Sequence, residues 1–118
     1  MKIRRIVELL NATVCVGEEH LDDEVYSAFG SDMMSEVLAY VQDQGVMLTG
    51  LVNEQCVRTA AMMSMSCIIM VRGKCPTDEM INMARENDIV ILTTGLTLYE
   101  SSGLLYINGL NPAGKAYV

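Results

Sequence analysis

The residues best suited to chemistry in this sequence stand beside three glycines, each of which ends a short apolar run. The runs cover residues 46–50, 68–73 and 89–95 and end in Gly50, Gly73 and Gly95. Cations, hydroxyls and the free backbone amides at a helix start all suit a phosphate or carboxylate group. We therefore predict an anion-binding site that consists of Thr49, Gly50, Arg72, Gly73, Lys74, Thr93, Thr94, Gly95 and Thr97.

A fourth glycine, Gly30, ends another predicted strand and is followed by Ser31 and Asp32. Such a turn can hold an anion, because free amides and the helix dipole point at the loop. It is also an ordinary way to start a helix, with Ser31 or Asp32 as the N-cap. The structural role is the preferred interpretation, and Gly30 and Ser31 stay in the set of candidate ligand-binding residues.

The residue types that catalysis needs are not gathered near these glycines. His20, the only histidine, stands in an acidic loop. This loop lacks the D-x-[DN]-x-[DN]-G pattern of a calcium-binding loop, and it has no second histidine that could bind zinc. Cys75 follows Lys74 and could be a reactive thiol, but no base or orienting group accompanies it. No strand-end glycine begins a Walker loop. We predict a protein that is not an enzyme, with no catalytic residues, no metal site and no cofactor.

The spacing of the glycines indicates the elements that position them. Gly50, Gly73 and Gly95 are separated by 23 and 22 positions, about the length of one strand plus one return helix. Two further strands are predicted at 13–16 and 25–29, and the direction of the first is left open between parallel and antiparallel. The prediction is an α/β fold: a single three-layer domain with a mostly parallel sheet of about five strands. All three glycines would then share the carboxyl edge of the sheet, where open α/β sheets bind ligands.

Helices are predicted at 3–10, 33–41 and 53–65, after Thr77, and from Thr97 to about residue 108. Helix 53–65 carries apolar residues on more than one face and is rich in methionine, which makes it a candidate subunit interface. The alternative, that the first helix covers it within the same chain, is equally supported. The domain is expected to span residues 1–110, and residues 111–118, with Pro112 and Gly114, are expected to form a flexible tail.

Composition excludes several classes of partner. The formal charge is −7, with only eight Lys and Arg residues, which argues against nucleic acid and anionic membranes. The longest uncharged apolar-leaning stretch, 59–71, is shorter than the roughly 18 residues that span a bilayer. The four cysteines form no C-x-x-C pair, which favours reduced thiols and a cytoplasmic location.

The order of these motifs resembles the DRTGG domain over nearly the whole chain, from the first helix to about Gly109. The segments that carry the resemblance are 30–35, 47–50, 70–77 and 94–99. The Asp-Arg pair of the family name is missing from residues 49–53, and only Gly73 remains of the Thr-Gly-Gly. The resemblance implies a non-catalytic, dimeric module that sometimes accompanies nucleotide-sensing CBS domains.

Two hypotheses for the function follow. The first is a regulatory module that acts as a homodimer and binds a small effector, a nucleotide or another phosphorylated or anionic ligand, at the carboxyl edge of the sheet. The second is a dimerisation or interaction scaffold with no small ligand, whose helices dock on a second copy or on a partner enzyme.

Overall fold

A computed structural model describes residues 1–42 and 45–114. In these residues the sheet has six strands in the order β1-β5-β4-β3-β2-β6. All neighbours are parallel except β1 and β5, which are antiparallel. This confirms the predicted mostly parallel α/β sheet and decides the direction of the first strand. The strands are β1 Thr13–Val16, β2 Ser27–Gly30, β3 Val46–Thr49, β4 Cys67–Met70, β5 Val90–Thr93 and β6 Asn111–Pro112.

Helices cover both faces of the sheet, which gives the predicted three layers. The described residues contain α1 Ile3–Leu10, α2 Met34–Tyr40, α3 Glu54–Met62, α4 Asp78–Glu86 and α5 Leu98–Ile107. One apolar core lies between the sheet and α1 and α5, and the other between the sheet and α2, α3 and α4. Within the described part of the chain, no helix is both long and apolar enough to cross a membrane.

The central strands β3, β4 and β5 supply side chains to both cores. Met47, Ile68 and Ile91 face α2, α3 and α4, whereas Leu48 and Ile69 face α1 and α5. All five side chains are at most 1 % exposed. Burying each stabilises the fold by roughly 1.5–3 kcal/mol, so the two cores fix the positions of the strand ends.

The second apolar face of α3 is covered within the chain. Cys56, Val57 and Ala60 are fully buried, and α3 packs against both α2 and α4. The alternative that α1 covers it is wrong, because α1 packs in the core on the opposite face of the sheet. Of the large apolar side chains of α3, Met62 is the one that stays well exposed, at 63 %.

Part of the segment expected to be a flexible tail joins the sheet as the strand β6, Asn111–Pro112. Asn111 and Ala113 donate backbone hydrogen bonds to the carbonyls of Tyr26 and Ala28, and Ala113 is 1 % exposed. The physical reason is that β2 would otherwise be an open edge strand with unpaired backbone groups. Residues 115–118 of the predicted tail lie outside the described residues.

Candidate functional site

The carboxyl ends of β2, β3, β4 and β5 lie side by side and form what we call the carboxyl edge. Gly30 pairs with Leu48, Thr49 with Met70, and Met70 with Thr93, so the four strands end at nearly the same level. The prediction that Gly50, Gly73 and Gly95 share one edge is therefore confirmed. The loops at this edge bring together all of the predicted residues: Gly30, Ser31, Thr49, Gly50, Arg72, Gly73, Lys74, Thr93, Thr94, Gly95 and Thr97.

Asp32 is the centre of a hydrogen-bonded cluster at this edge. The Gly50 amide donates to its Oδ1 at 2.7 Å, and the Thr49 hydroxyl donates to the same oxygen at 3.1 Å. The Arg72 guanidinium Nη2 lies 3.6 Å from its Oδ2. Three donors from two neighbouring loops thus converge on one carboxylate.

The sequence suggested Ser31 or Asp32 as the N-cap of α2, but the Asp32 side chain does not cap this helix. The N-cap of α2 is Met33, which makes no side-chain cap. The other candidate, Ser31, accepts a hydrogen bond from the Met33 amide at 3.0 Å and so closes the turn before the helix.

The hydrogen bonds to Asp32 change its acidity. The bond from the Gly50 amide lowers the pKa of the carboxyl below its usual value. Partial burial opposes this shift, whereas Thr49 and Arg72 add to it. The carboxylate is consequently ionised at neutral pH and presents a negative charge to the donors around it.

Arg72 is held in an unusual backbone conformation that directs its side chain toward Gly50. Its φ of 58° lies in the left-handed region, and its amide donates to the Leu96 carbonyl at 2.8 Å. A Cβ added to Gly50 would overlap the Arg72 guanidinium. Glycine at position 50 therefore lets the guanidinium lie against the backbone, and a side chain there would displace the end of Arg72.

The predicted hydroxyls mostly serve the loops themselves. Thr94 is 2 % exposed and donates to the Leu10 carbonyl at 2.7 Å. Thr93 donates to the Lys74 carbonyl at 2.5 Å, and Thr97 caps α5 by accepting from the Glu100 amide at 3.2 Å. The predicted residues that lie at the surface are Gly30, Arg72, Gly73, Lys74, Gly95 and Thr97.

A small cleft opens beside the carboxyl edge on the α5 face of the sheet. It has a volume of about 160 Å³, and the residues lining it include Gly30, Leu48, Leu105, Tyr106 and Pro112. Sequence reasoning missed this cleft because β6, which forms one wall, was expected to be part of a tail.

His20 lies far from these residues along the sheet. Its Nδ1 is 3.2 Å from Asp23, and its Nε2 is 3.6 Å from Asp88, which precedes β5 at the opposite edge. Cys75, at the carboxyl edge, therefore has no histidine beside it. Among the described residues, no three His, Cys, Asp or Glu side chains are placed to hold a metal ion.

Comparison with known proteins places the chain in a family. Residues 5–106 match the model of the DRTGG domain. The chain belongs to the DRTGG domain family. The resemblance noted from the sequence motifs is thereby confirmed. In this chain, whose residues 49–53 lack the Asp-Arg pair of the family name, Asp32 and Arg72 meet beside Gly50 from two other loops.

A solved structure shares this DRTGG fold. It is the crystal structure of the CBS and DRTGG domains of the regulatory region of Clostridium perfringens pyrophosphatase, complexed with its activator, diadenosine tetraphosphate. The TM-score is 0.74 at 19 % sequence identity, and the match covers 95 % of this chain and 48 % of that chain. The match thus spans about half of the length of that chain. No curated protein matches the chain at a significant level.

Proposed function

We propose that this DRTGG domain is a non-catalytic regulatory module that binds a small phosphorylated or otherwise anionic effector at the carboxyl edge, as a homodimer. One observation carries the ligand site: two exposed cations, Arg72 and Lys74, stand together in a protein with a formal charge of −7. The relative from C. perfringens supports the class of ligand, because its regulatory region holds a nucleotide activator.

The backbone around the two cations suits close approach by a phosphate. A Cβ at Gly73 or Gly95 would meet nothing within 4 Å, so a ligand can reach the main chain at both positions. The Gly95 amide donates to no acceptor within the described residues and is available to an oxygen of the ligand. Arg72 would supply a planar, bidentate donor and Lys74 a compact positive charge.

A binding experiment tests this site. Inorganic pyrophosphate and ATP are titrated into the protein by calorimetry and by thermal shift. Bound ligand should raise stability by RT ln(1 + [L]/Kd), about 2.7 kcal/mol at one hundred times Kd. The double variant Arg72→Ala, Lys74→Ala should lose the effect. The double variant Lys2→Ala, Arg85→Ala removes the same charge from exposed residues outside the carboxyl-edge loops and should retain it.

Absence of binding by every phosphorylated compound would remove the ligand site. Equal binding by the two double variants would show that the attraction is non-specific. Either result, combined with intact self-association, would favour the scaffold hypothesis, in which the module has no small ligand and docks on a second copy or on a partner enzyme.

The homodimer is supported by the outer face of α5. Tyr99, Tyr106 and Ile107 are 88 %, 68 % and 76 % exposed, and they surround the exposed Gly103, whose Cβ position has no neighbour within 4 Å. A helix that is apolar on all sides is usually covered on all sides. A glycine in the middle of such a face allows a second helix to approach closely.

Light scattering of the purified protein tests the dimer and its location. The wild type should have the mass of two chains at micromolar concentration, and Ile107→Glu should have the mass of one. Met62→Glu is the matched control, because it places the same charge on the exposed apolar residue of α3. A monomeric wild type would contradict the dimer, and a monomer caused only by Met62→Glu would move the interface to α3.

A further inference from the structure

The donors near Gly50 already hold an anion, which belongs to the protein itself. The Gly50 amide, the Thr49 hydroxyl and the Arg72 guanidinium all face the Asp32 carboxylate. An amide, a hydroxyl and a guanidinium are also the groups that bind phosphate oxygens in proteins. Asp32 thus occupies a receptor whose chemistry suits an external anion.

We propose that Asp32 is an internal competitor for the effector: its carboxylate fills part of the anion site, and a bound phosphate group displaces it. This inference rests on the proposed function, since it concerns the regulation of that site. Because a ligand must displace its carboxylate, Asp32 would exclude ligands that bind the Gly50 amide, Thr49 and Arg72 only weakly. A ligand with two or more negative charges on one phosphoryl or diphosphoryl group can replace it, whereas a single carboxylate offers the donors nothing that Asp32 does not.

The geometry allows Asp32 to leave. Its side chain is 46 % exposed, so it can turn into water without leaving a charge buried. The 3.6 Å separation from Arg72 is longer than the roughly 2.7–2.9 Å of a charge-assisted hydrogen bond, so the guanidinium is only loosely engaged.

The loop that carries Asp32 has separate anchors. The Ser31 amide donates to the Leu48 carbonyl at 3.0 Å, and the Ser31 hydroxyl accepts from the Met33 amide at 3.0 Å. These bonds do not involve the carboxylate. Rotation of the Asp32 side chain can therefore free the Gly50 amide, Thr49 and Arg72 while the turn between β2 and α2 stays in place.

The test compares the Kd of inorganic pyrophosphate for the wild type and three variants by calorimetry. Asp32→Ala should bind about ten-fold more tightly, since it removes a competing charged hydrogen-bond partner. Asp32→Asn keeps the shape without the charge and should also bind more tightly than the wild type. Glu86→Ala makes the same change in net charge at the end of α4 and should bind like the wild type.

The sign of the effect separates competition from a purely structural role. If Asp32 only positions the loops, both Asp32 variants will bind pyrophosphate as weakly as the wild type or more weakly, which overturns this inference and leaves the proposed function intact. If neither pyrophosphate nor ATP binds the wild type or the variants, the edge is not an anion site, and both proposals fall. Circular dichroism establishes folding, and Asp32→Asn decides the question if Asp32→Ala does not fold.

Discussion

At the scale of residues, Asp32 and Gly50 show how one contact joins separate loops. Asp32 follows β2 and accepts from Thr49 and Gly50, which end β3, while it faces Arg72, which follows β4. Gly50 permits this arrangement because any side chain there would collide with the guanidinium. The Asp32 carboxylate thus contacts residues of two neighbouring loops at the carboxyl edge.

Stability should depend on pH through Asp32. Its folded pKa lies below the ordinary value of 3.8, so its contribution is present well above that value and is lost as the pH falls through the folded value. Because the group is half-exposed, the contribution at neutral pH should be about 1 kcal/mol or less. The free energies of unfolding in urea of the wild type and Asp32→Asn should differ most at pH 7, and the difference should shrink as the pH is lowered from 7 to below 3.8. A difference that stays constant over this range would contradict the prediction.

The four cysteines should differ in reactivity according to burial. Cys75 is exposed, whereas burial raises the pKa of Cys56 to about 11 and also raises the pKa of Cys67. In the native protein a disulfide reagent should modify Cys75 first and half-buried Cys15, whose pKa burial also raises, more slowly. The other two thiols should react only after unfolding. Loss of the fast phase in Cys75→Ser identifies the residue, and a fast phase that survives would contradict the assignment.

The sequence showed which residues end strands, but it could not show which loops meet. Gly50, Arg72, Gly73 and Gly95 were predictable, because each follows an apolar run of strand length. The role of Asp32 was not, because it depends on β2 lying next to β3 in the sheet. The order of strands comes from packing over the whole chain, which no local pattern encodes.

At the scale of elements, α5 has a well-defined start and an outer face that the described residues leave exposed. The Thr97 side chain accepts from the Glu100 amide, and the Glu100 side chain accepts from the Thr97 amide, which completes a capping box. The inner face buries Ser101 and Leu105. The start of the helix is thus determined locally, whereas Tyr99, Tyr106 and Ile107 on its outer face stay exposed in the described structure.

Removing the cap of α5 should destabilise the protein. Thr97→Ala leaves the Glu100 amide without its acceptor and should lower the free energy of unfolding by about 1 kcal/mol. Thr97→Ser keeps the hydroxyl and is the matched control. Chemical denaturation measures both, and equal stability of the alanine and serine variants would show that the capping box contributes nothing.

Helix boundaries were easier to predict than helix partners. The caps at Thr77 and Thr97 could be recognised from residue types, and the structure confirms both. For α3, the apolar pattern correctly indicated that two faces are covered, but it could not tell a subunit from neighbouring helices. The spacing of apolar residues indicates which faces of a helix are buried, but it does not identify the element that covers them.

At the scale of the whole molecule, the two outermost strands protect the parallel centre. β1 covers β5 in the antiparallel direction, and β6 covers β2. The central strands were predictable from their apolar runs. β6 was not, because its two residues have no strand pattern of their own, and their pairing comes from the distant segment Ser27–Ala28. Pro112 fits this place because an edge strand can spare one backbone donor.

Deletion of residues 111–118 should therefore destabilise the domain, and deletion of residues 115–118 is the matched control. The longer deletion removes backbone hydrogen bonds that include Asn111 to the Tyr26 carbonyl, Ala113 to the Ala28 carbonyl, and the Gln42 amide to the Ala113 carbonyl. At about 1 kcal/mol each, their loss should lower the free energy of unfolding by about 1–3 kcal/mol. It should also open β2 as an edge strand and promote aggregation, which light scattering detects. If the two shortened proteins unfold at the same urea concentration and neither aggregates, β6 is dispensable and the domain ends at Leu110.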